Sequence, residues 1–182
     1  MTNDTRAARD AQLDELVPRV TTQRLLLRSL RGTDLDVFAE ALSDPIGSEF
    51  VGGVVDRRAS WRMVAAGVGF WVLDGAGWWG IEMRETGELV GTVGAFFRET
   101  TPGVIELGWT VFRKHWRQGI ATEAARAASA YAFERHGVDH VIAYIDPKNL
   151  PSVRVSERLG MRYEGEVDFY AEKTGRYVLA RP

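Results

Sequence analysis

The sequence contains no cysteine among its 182 residues, which excludes a disulfide framework and any thiolate metal site. It also lacks a long apolar run. Its longest obvious uncharged stretch, residues 63–73, falls short of the roughly 18 residues that suggest a membrane span. Nor does charge of one sign dominate: 23 Lys and Arg stand against 25 Asp and Glu, a formal net charge of -2, whereas a general nucleic-acid binder carries a marked basic surplus. The start, "MTNDTRAARDAQLDEL", has no apolar centre of a signal peptide and no glycine after Met1. Neither export nor myristoylation is signalled, and a cytoplasmic setting is expected. His115, His136 and His140 have no metal-ligand spacing, and no serine-hydrolase nucleophile elbow is present, so no metal site is expected. What is there is ordinary globular material, 45% hydrophobic and 26% charged, with one core as the expectation for this length at roughly 150 residues per domain.

Residues 1–18 mix Asp, Arg and Ala with Leu13, Leu16 and Val17 and predict an N-terminal arm or short helix ahead of a single domain over residues 19–182. "QRLLLRSL" has the length of a strand. In "TDLDVFAEALSD", Thr33 is the expected N-cap of a helix with Leu35, Phe38, Ala39 and Leu42 at helical spacing. Asp56 is expected to cap a second helix carrying Trp61, Met63 and Val64. The stretch "WWGIEMRETGELVGTVGAFFRETTPGVIELGWTVF" has three apolar runs broken by "ETGE" and "TTPG", and predicts a β-meander. An alanine-rich helix follows, then "VDHVIAYI" as a buried strand, "NLPSVRVSERLG" as a short helix ended by Gly160, and two closing strands.

The segment "HWRQGIATEAARAASAYAFERHG" carries the most chemistry. A helix start offers free backbone N–H groups and the positive end of its dipole, which together attract anions. Gly119 lets a ligand approach the backbone, Ala121 keeps the first turn small, Thr122 adds a hydroxyl, and Arg113, Lys114 and Arg117 supply positive charge nearby. These features suggest a pyrophosphate cradle; they also suit a core helix preceded by a solvated basic loop.

Together, "IELGWTVFRKHWRQGIATEAA" and "DPKNLPSVRVSERLGM" resemble the GNAT N-acetyltransferases, especially the branch of ribosomal-protein N-terminal acetyltransferases, and the likeness extends from "TTQRLLLRSLRGTDLDVF" to the final strand. The resemblance implies an α/β (α+β) GNAT fold: a mixed, mostly antiparallel sheet flanked by helices and splayed between its fourth and fifth strands. It implies acetyl-coenzyme A as donor and a primary amine as acceptor, either a protein N-terminus or a small molecule. The family's Q/R-x-x-G-x-G/A loop falls on Trp116, Arg117, Gln118, Gly119, Ile120 and Ala121, with Trp116 departing at the first position. By the same resemblance, Arg117, Gln118, Gly119, Ile120, Ala121 and Thr122 would hold the pyrophosphate, and Val111 would pair its backbone with the pantetheine arm like an added strand. Asn149 would bond the pantetheine amide, although asparagine is equally a favoured N-cap.

Acetyl transfer needs a neutral amine and a proton for the departing thiolate. Glu106, in "VIELGW", is the candidate base, acting directly or through water, with a solvent-facing strand glutamate as the bland alternative. The tyrosine many relatives use as acid is replaced by Ser156. Ser152 matches the serine of the N-terminal acetyltransferase branch and is the candidate near sulfur, or else a plain polar residue at a helix start. Tyr163 and Tyr170 are substitutes in role. Trp71, Trp78, Trp79, Phe96, Phe97 and Trp109 line an acceptor groove or, more ordinarily for strand aromatics, the core. An enzyme is the first reading and a non-catalytic acyl-coenzyme A sensor or scaffold the second. The oligomeric state, a homodimer included, is left open.

Overall fold

The computed structural model describes residues 3–98, 101–169 and 172–182. Its elements run α1 (Asn3–Leu16), β1 (Val20–Thr21), β2 (Leu25–Arg28), α2 (Leu35–Ser43), α3 (Arg57–Asp74), β3 (Gly77–Met83), β4 (Leu89–Arg98), β5 (Thr101–Val111), α4 (Ile120–His136), β6 (His140–Ile145), α5 (Leu150–Leu159), β7 (Arg162–Phe169) and β8 (Glu172–Ala180). The strands form one sheet in the order β1-β2-β3-β4-β5-β6-β8-β7. Every pairing is antiparallel except β5 with β6, because α4 carries the chain back across the sheet between those two strands. Among the described residues no helix is long and apolar enough to cross a membrane.

Two layers enclose the sheet. On one face α4 buries Ala124, Ala125, Ala128 and Ala132 against Trp79, Val93, Ala95, Ile105 and Leu107. Four of the alanines seen in the sequence thus form the stripe that lets the helix lie close to the strands. On the opposite face α2 and α3 bring Phe38, Leu42 and Val64 onto Leu30, Leu89 and Phe112. α5 covers the far end of the sheet through a third cluster that contains Ala143, Ile145, Met161 and Tyr177.

Local signals fixed most element ends. Asp56 accepts a hydrogen bond from the Ala59 amide at 2.7 Å and caps α3 as expected. Gly160, at φ 83°, ends α5. Thr33 does not cap α2: a 3-10 turn over Gly32–Asp34 intervenes, and Asp34 stands at the N-cap position. Its carboxylate is committed elsewhere, gripping the buried Arg28 guanidinium at 2.8 and 2.9 Å and accepting from the Arg31 amide at 2.8 Å. A buried cation needs that compensation, so a tertiary ion pair overrides the local capping pattern. α1 is a full helix of 14 residues, tied down where Asp14 meets Arg31 at 3.1 Å. The turn expected between β4 and β5 falls partly on Glu99 and Thr100, outside the described residues.

Candidate active site

The parallel pair is short. β5 and β6 are in register only at Ile105 with Val141 and Glu106 with Ile142, yet β5 continues to Val111 and β6 to Ile145. Past Glu106 the strands part. The two-residue β1 precedes the strand read from "QRLLLRSL", so this gap is the one expected between fourth and fifth strands. A cavity of about 430 Å³ occupies it, walled by Leu107, Gly108, Trp109 and Thr110 from one strand and Ala143, Tyr144, Ile145 and Asp146 from the other. Asn149 and Ser152 close it at the start of α5, while Phe38, Phe50, Met63, Phe70 and Trp78 close it from the α2–α3 side.

Val111 lies at the edge of this gap. The Phe112 amide donates to the Val90 carbonyl at 2.9 Å, so Gly91 and Val111 form a non-hydrogen-bonded pair, and the amide and carbonyl of Val111 point away from β4. The Trp116 indole N–H donates to that carbonyl at 2.6 Å. The residue that departs from the family loop pattern thus latches the loop onto the end of β5.

Beyond Trp116 the backbone turns sharply. Arg117 has φ 63° and Gly119 φ 76°, and at Gly119 the left-handed conformation needs a residue without Cβ. α4 begins at Ile120, so the free amides of its first turn start at this bend. Among the described residues the Thr122 Oγ1, which is buried, has no hydrogen-bond partner.

Two of the cations expected beside the cradle are engaged elsewhere. Arg113 pairs with Asp44 at 3.3 Å and Lys114 with Glu88 at 2.6 Å, because the short helical turn Arg113–His115 directs them to acidic residues of other loops. Arg24, which sequence reading missed, takes their place. Its guanidinium donates to the Gln118 carbonyl at 3.0 Å and pairs with Glu123 at 2.7 Å. Burial pushes the Glu123 carboxyl up, but hydrogen bonds from the Thr22 hydroxyl, the Arg24 amide and the Arg24 side chain outweigh it and hold its pKa below the ordinary glutamate value. Arg24 and Glu123 stand 99 residues apart, and no local signal links them.

The expected catalytic residues fare differently. Ser152 and Asn149 reach the cavity. The Asn149 Oδ1 accepts from the Ser152 amide at 3.2 Å, so it does cap α5. Glu106 lies on the same sheet face as Trp78 and Phe96 but is not among the lining residues. Both its oxygens accept from Arg98, at 2.6 and 2.8 Å, and its side chain is 9% exposed. Ser156 is fully buried and donates to the Val153 carbonyl at 2.7 Å. Tyr163 packs on Tyr177 along β7 and β8, away from the cavity lining, and Tyr170 lies outside the described residues. Of the conspicuous aromatics, Trp78 and Trp109 line the cavity; Trp71, Trp79 and Phe96 are core, and Phe97 is half-buried against it. Tyr144, within the segment read as a buried strand, and Asp146 are lining residues that the sequence did not single out. Among the described residues no cluster of His, Asp or Glu is arranged to hold a metal.

Residues 24–162 match the family model described as the acetyltransferase (GNAT) domain. The chain belongs to the GNAT acetyltransferase family. It is 29% identical to the uncharacterized N-acetyltransferase p20 of Bacillus licheniformis over 86% of this chain and 89% of that one. The crystal structure of an acetyltransferase from Agrobacterium tumefaciens str. C58 superposes with a TM-score of 0.82 at 30% identity, covering 90% of this chain and 95% of the other. RimL, a ribosomal L7/L12 α-N-protein acetyltransferase crystallised with coenzyme A, shares the fold with a TM-score of 0.74 at 13% identity, over 89% and 97% of the two chains. The protein is therefore an N-acetyltransferase, and its parted strands are the splay of the GNAT fold.

Proposed function

We propose that this GNAT enzyme transfers an acetyl group from acetyl-coenzyme A to a primary amine, of a small molecule or of a peptide N-terminus. The observation that carries the reading is the gap between β5 and β6, which opens beneath α2 and α3 and is closed by Asn149 and Ser152 at the start of α5, with Gly119 and Thr122 of the cradle lining a second recess beside Thr22, Arg24 and Arg158. The residues present fit the donor. First-turn amides and the unpartnered Thr122 hydroxyl suit a pyrophosphate, and the outward backbone of Val111 suits an extended amide-bearing arm. Acetyl-coenzyme A supplies its acetyl group as an activated thioester. The chain's own part is to bind, orient and move protons.

Arg117, Gln118, Gly119, Ile120, Ala121 and Thr122 form the anion cradle, with Arg24 bracing it through the Gln118 carbonyl. The Asn149 amide group is available to a ligand carbonyl. Ser152, at the same wall, is the hydroxyl that holds or passes the proton at sulfur. Glu106, held through both oxygens by Arg98, fixes the β4–β5 wall of the site. The test is thiol release from acetyl-coenzyme A by the purified protein across a panel of amines and peptides, with mass gain on the product. Acetylated amine is expected. Calorimetric binding of coenzyme A with no transfer to any acceptor would assign the fold to a sensor or scaffold instead, and no association at millimolar concentration would overturn the reading altogether.

A further inference from the structure

The acceptor half of the cavity has a composition that narrows the acceptor's chemistry. Among the described residues that line it, Asp146 alone carries a formal charge, and one Asp146 oxygen already accepts from the Lys148 amide at 2.8 Å. Thr92 and Thr110 add hydroxyls, and the remainder of the acceptor side is mostly aromatic or aliphatic. Phe50 and Met63 line the cavity and are still 38% and 37% exposed, so the mouth is apolar as well as the interior.

This wall is rigid. Trp78 lies across Gly94 and Gly108, where an added Cβ would come within 2.7 and 2.5 Å of the indole, and it stacks on Phe96 with centroids 5.1 Å apart. The Arg98 guanidinium sits over the Phe96 and Phe169 rings at 5.4 and 4.9 Å, and Phe169 stacks on Tyr144 at 4.4 Å. A surface locked in this way selects by shape and polarity and adapts little.

Such a pocket penalises a polycation. Each ammonium carried into apolar surroundings without a counter-charge loses its hydration uncompensated, and among the described residues the wall offers one carboxylate. A single amine meets a smaller penalty, because desolvation disfavours its charged form and lowers its pKa, so that it gives its proton to solvent water on entering. The neutral nucleophile then arises without a free carboxylate base, consistent with Glu106 being held by Arg98. Space sets the size. A volume of about 430 Å³ is near the lower end of ligand sites and must also admit the thioester end of the donor.

Resting on the acetyltransferase reading above, we infer that the acceptor is a monoamine whose amine-bearing carbon chain carries an aromatic ring or a branched aliphatic group. That chemistry is shared by free arylalkyl or alkyl amines and by peptides with an apolar first residue. Steady-state thiol release would compare 2-phenylethylamine and isoamylamine with spermidine, and in a second arm peptides beginning with Phe or Leu with peptides beginning with Ser or Asp. The apolar amine in each arm is expected to exceed the polar or polycationic one by at least about tenfold in kcat/KM, and the arm with the larger values identifies the source. Met63→Glu places a carboxylate at the half-exposed mouth and should move the 2-phenylethylamine to spermidine ratio toward spermidine, a change of preference that loss of folding cannot mimic. Equilibrium binding of the same amines to the coenzyme A complex, followed by tryptophan fluorescence, supplies a readout independent of turnover. Preference for 2-phenylethylamine there, without transfer, would uphold the pocket's selectivity and refute the acetyltransferase reading. Preference for spermidine or for Asp-initiated peptides overturns this inference while leaving acetyl transfer intact.

Discussion

Glu106→Gln separates two jobs for one carboxylate. In the folded protein Glu106 meets Arg98 through two hydrogen bonds, with side-chain exposures of 9% and 19%. Removing one member of a fully buried pair costs about 3–5 kcal/mol, whereas an exposed pair is worth only about 0–1 kcal/mol. Glutamine keeps the shape and can still accept from the guanidinium, and the Phe96 and Phe169 rings continue to face the Arg98 charge. The expected loss is about 2 kcal/mol, given that a charged partner roughly doubles a hydrogen bond's strength. For a chain of this size that corresponds to a fall in Tm of roughly 4–8 °C. Circular-dichroism melting at neutral pH measures it. In parallel, kcat with saturating acetyl-coenzyme A and amine at 20 °C should stay within about threefold of the parent, and its pH profile should keep its position. A drop in kcat of about a hundredfold or more, with Tm unchanged and the acid limb of the profile lost, would instead make Glu106 the base. It would also show that the Arg98 pair opens in every turnover.

Other expectations concern the cradle. Arg24→Met removes the brace on the Gln118 carbonyl and should weaken coenzyme A binding about five- to tenfold by calorimetry, within the net range of an ordinary hydrogen bond, with little change in kcat. Thr122→Val deletes a buried hydroxyl that has no hydrogen-bond partner among the described residues. The ligand-free Tm should hold or rise while coenzyme A affinity falls, and a fall in both would mean that the hydroxyl serves the fold alone. The Glu123 pKa is held below its ordinary value of 4.5, so its contribution to stability is complete above that pH and is lost as pH falls through the lower folded value. The stability difference between the parent and Glu123→Gln should therefore be constant from neutral pH down to about 5 and shrink below it, as read by urea denaturation at a series of pH values.

Much of the site was legible because its signals are local. The bend before α4, the small residues of its first turn, and the Asn149 cap with Ser152 three residues later each depend on neighbours within a turn of helix. The meander was legible for the same reason, since alternating apolar runs and turn residues specify hairpins between adjacent segments. Arg113 and Lys114 were misjudged as cradle cations because proximity in sequence was taken for proximity in space. Their partners, Asp44 and Glu88, come from loops that only the folded sheet brings alongside.

The order of strands and helices, the bend before α4 and the apolar stripe of α4 were thus determined by the sequence itself, through backbone preference and side-chain periodicity. Tertiary structure alone decided that Arg24 would meet the Gln118 carbonyl, that Arg98 would hold Glu106, and that Asp146 would be the one charged residue among those described along the cavity. Those outcomes depend on which distant groups share buried space once the sheet has closed. Burial is what forces an ionic group to find a partner or leaves an aromatic surface for a ligand to cover, and it is a property of the assembled layers rather than of any stretch of chain.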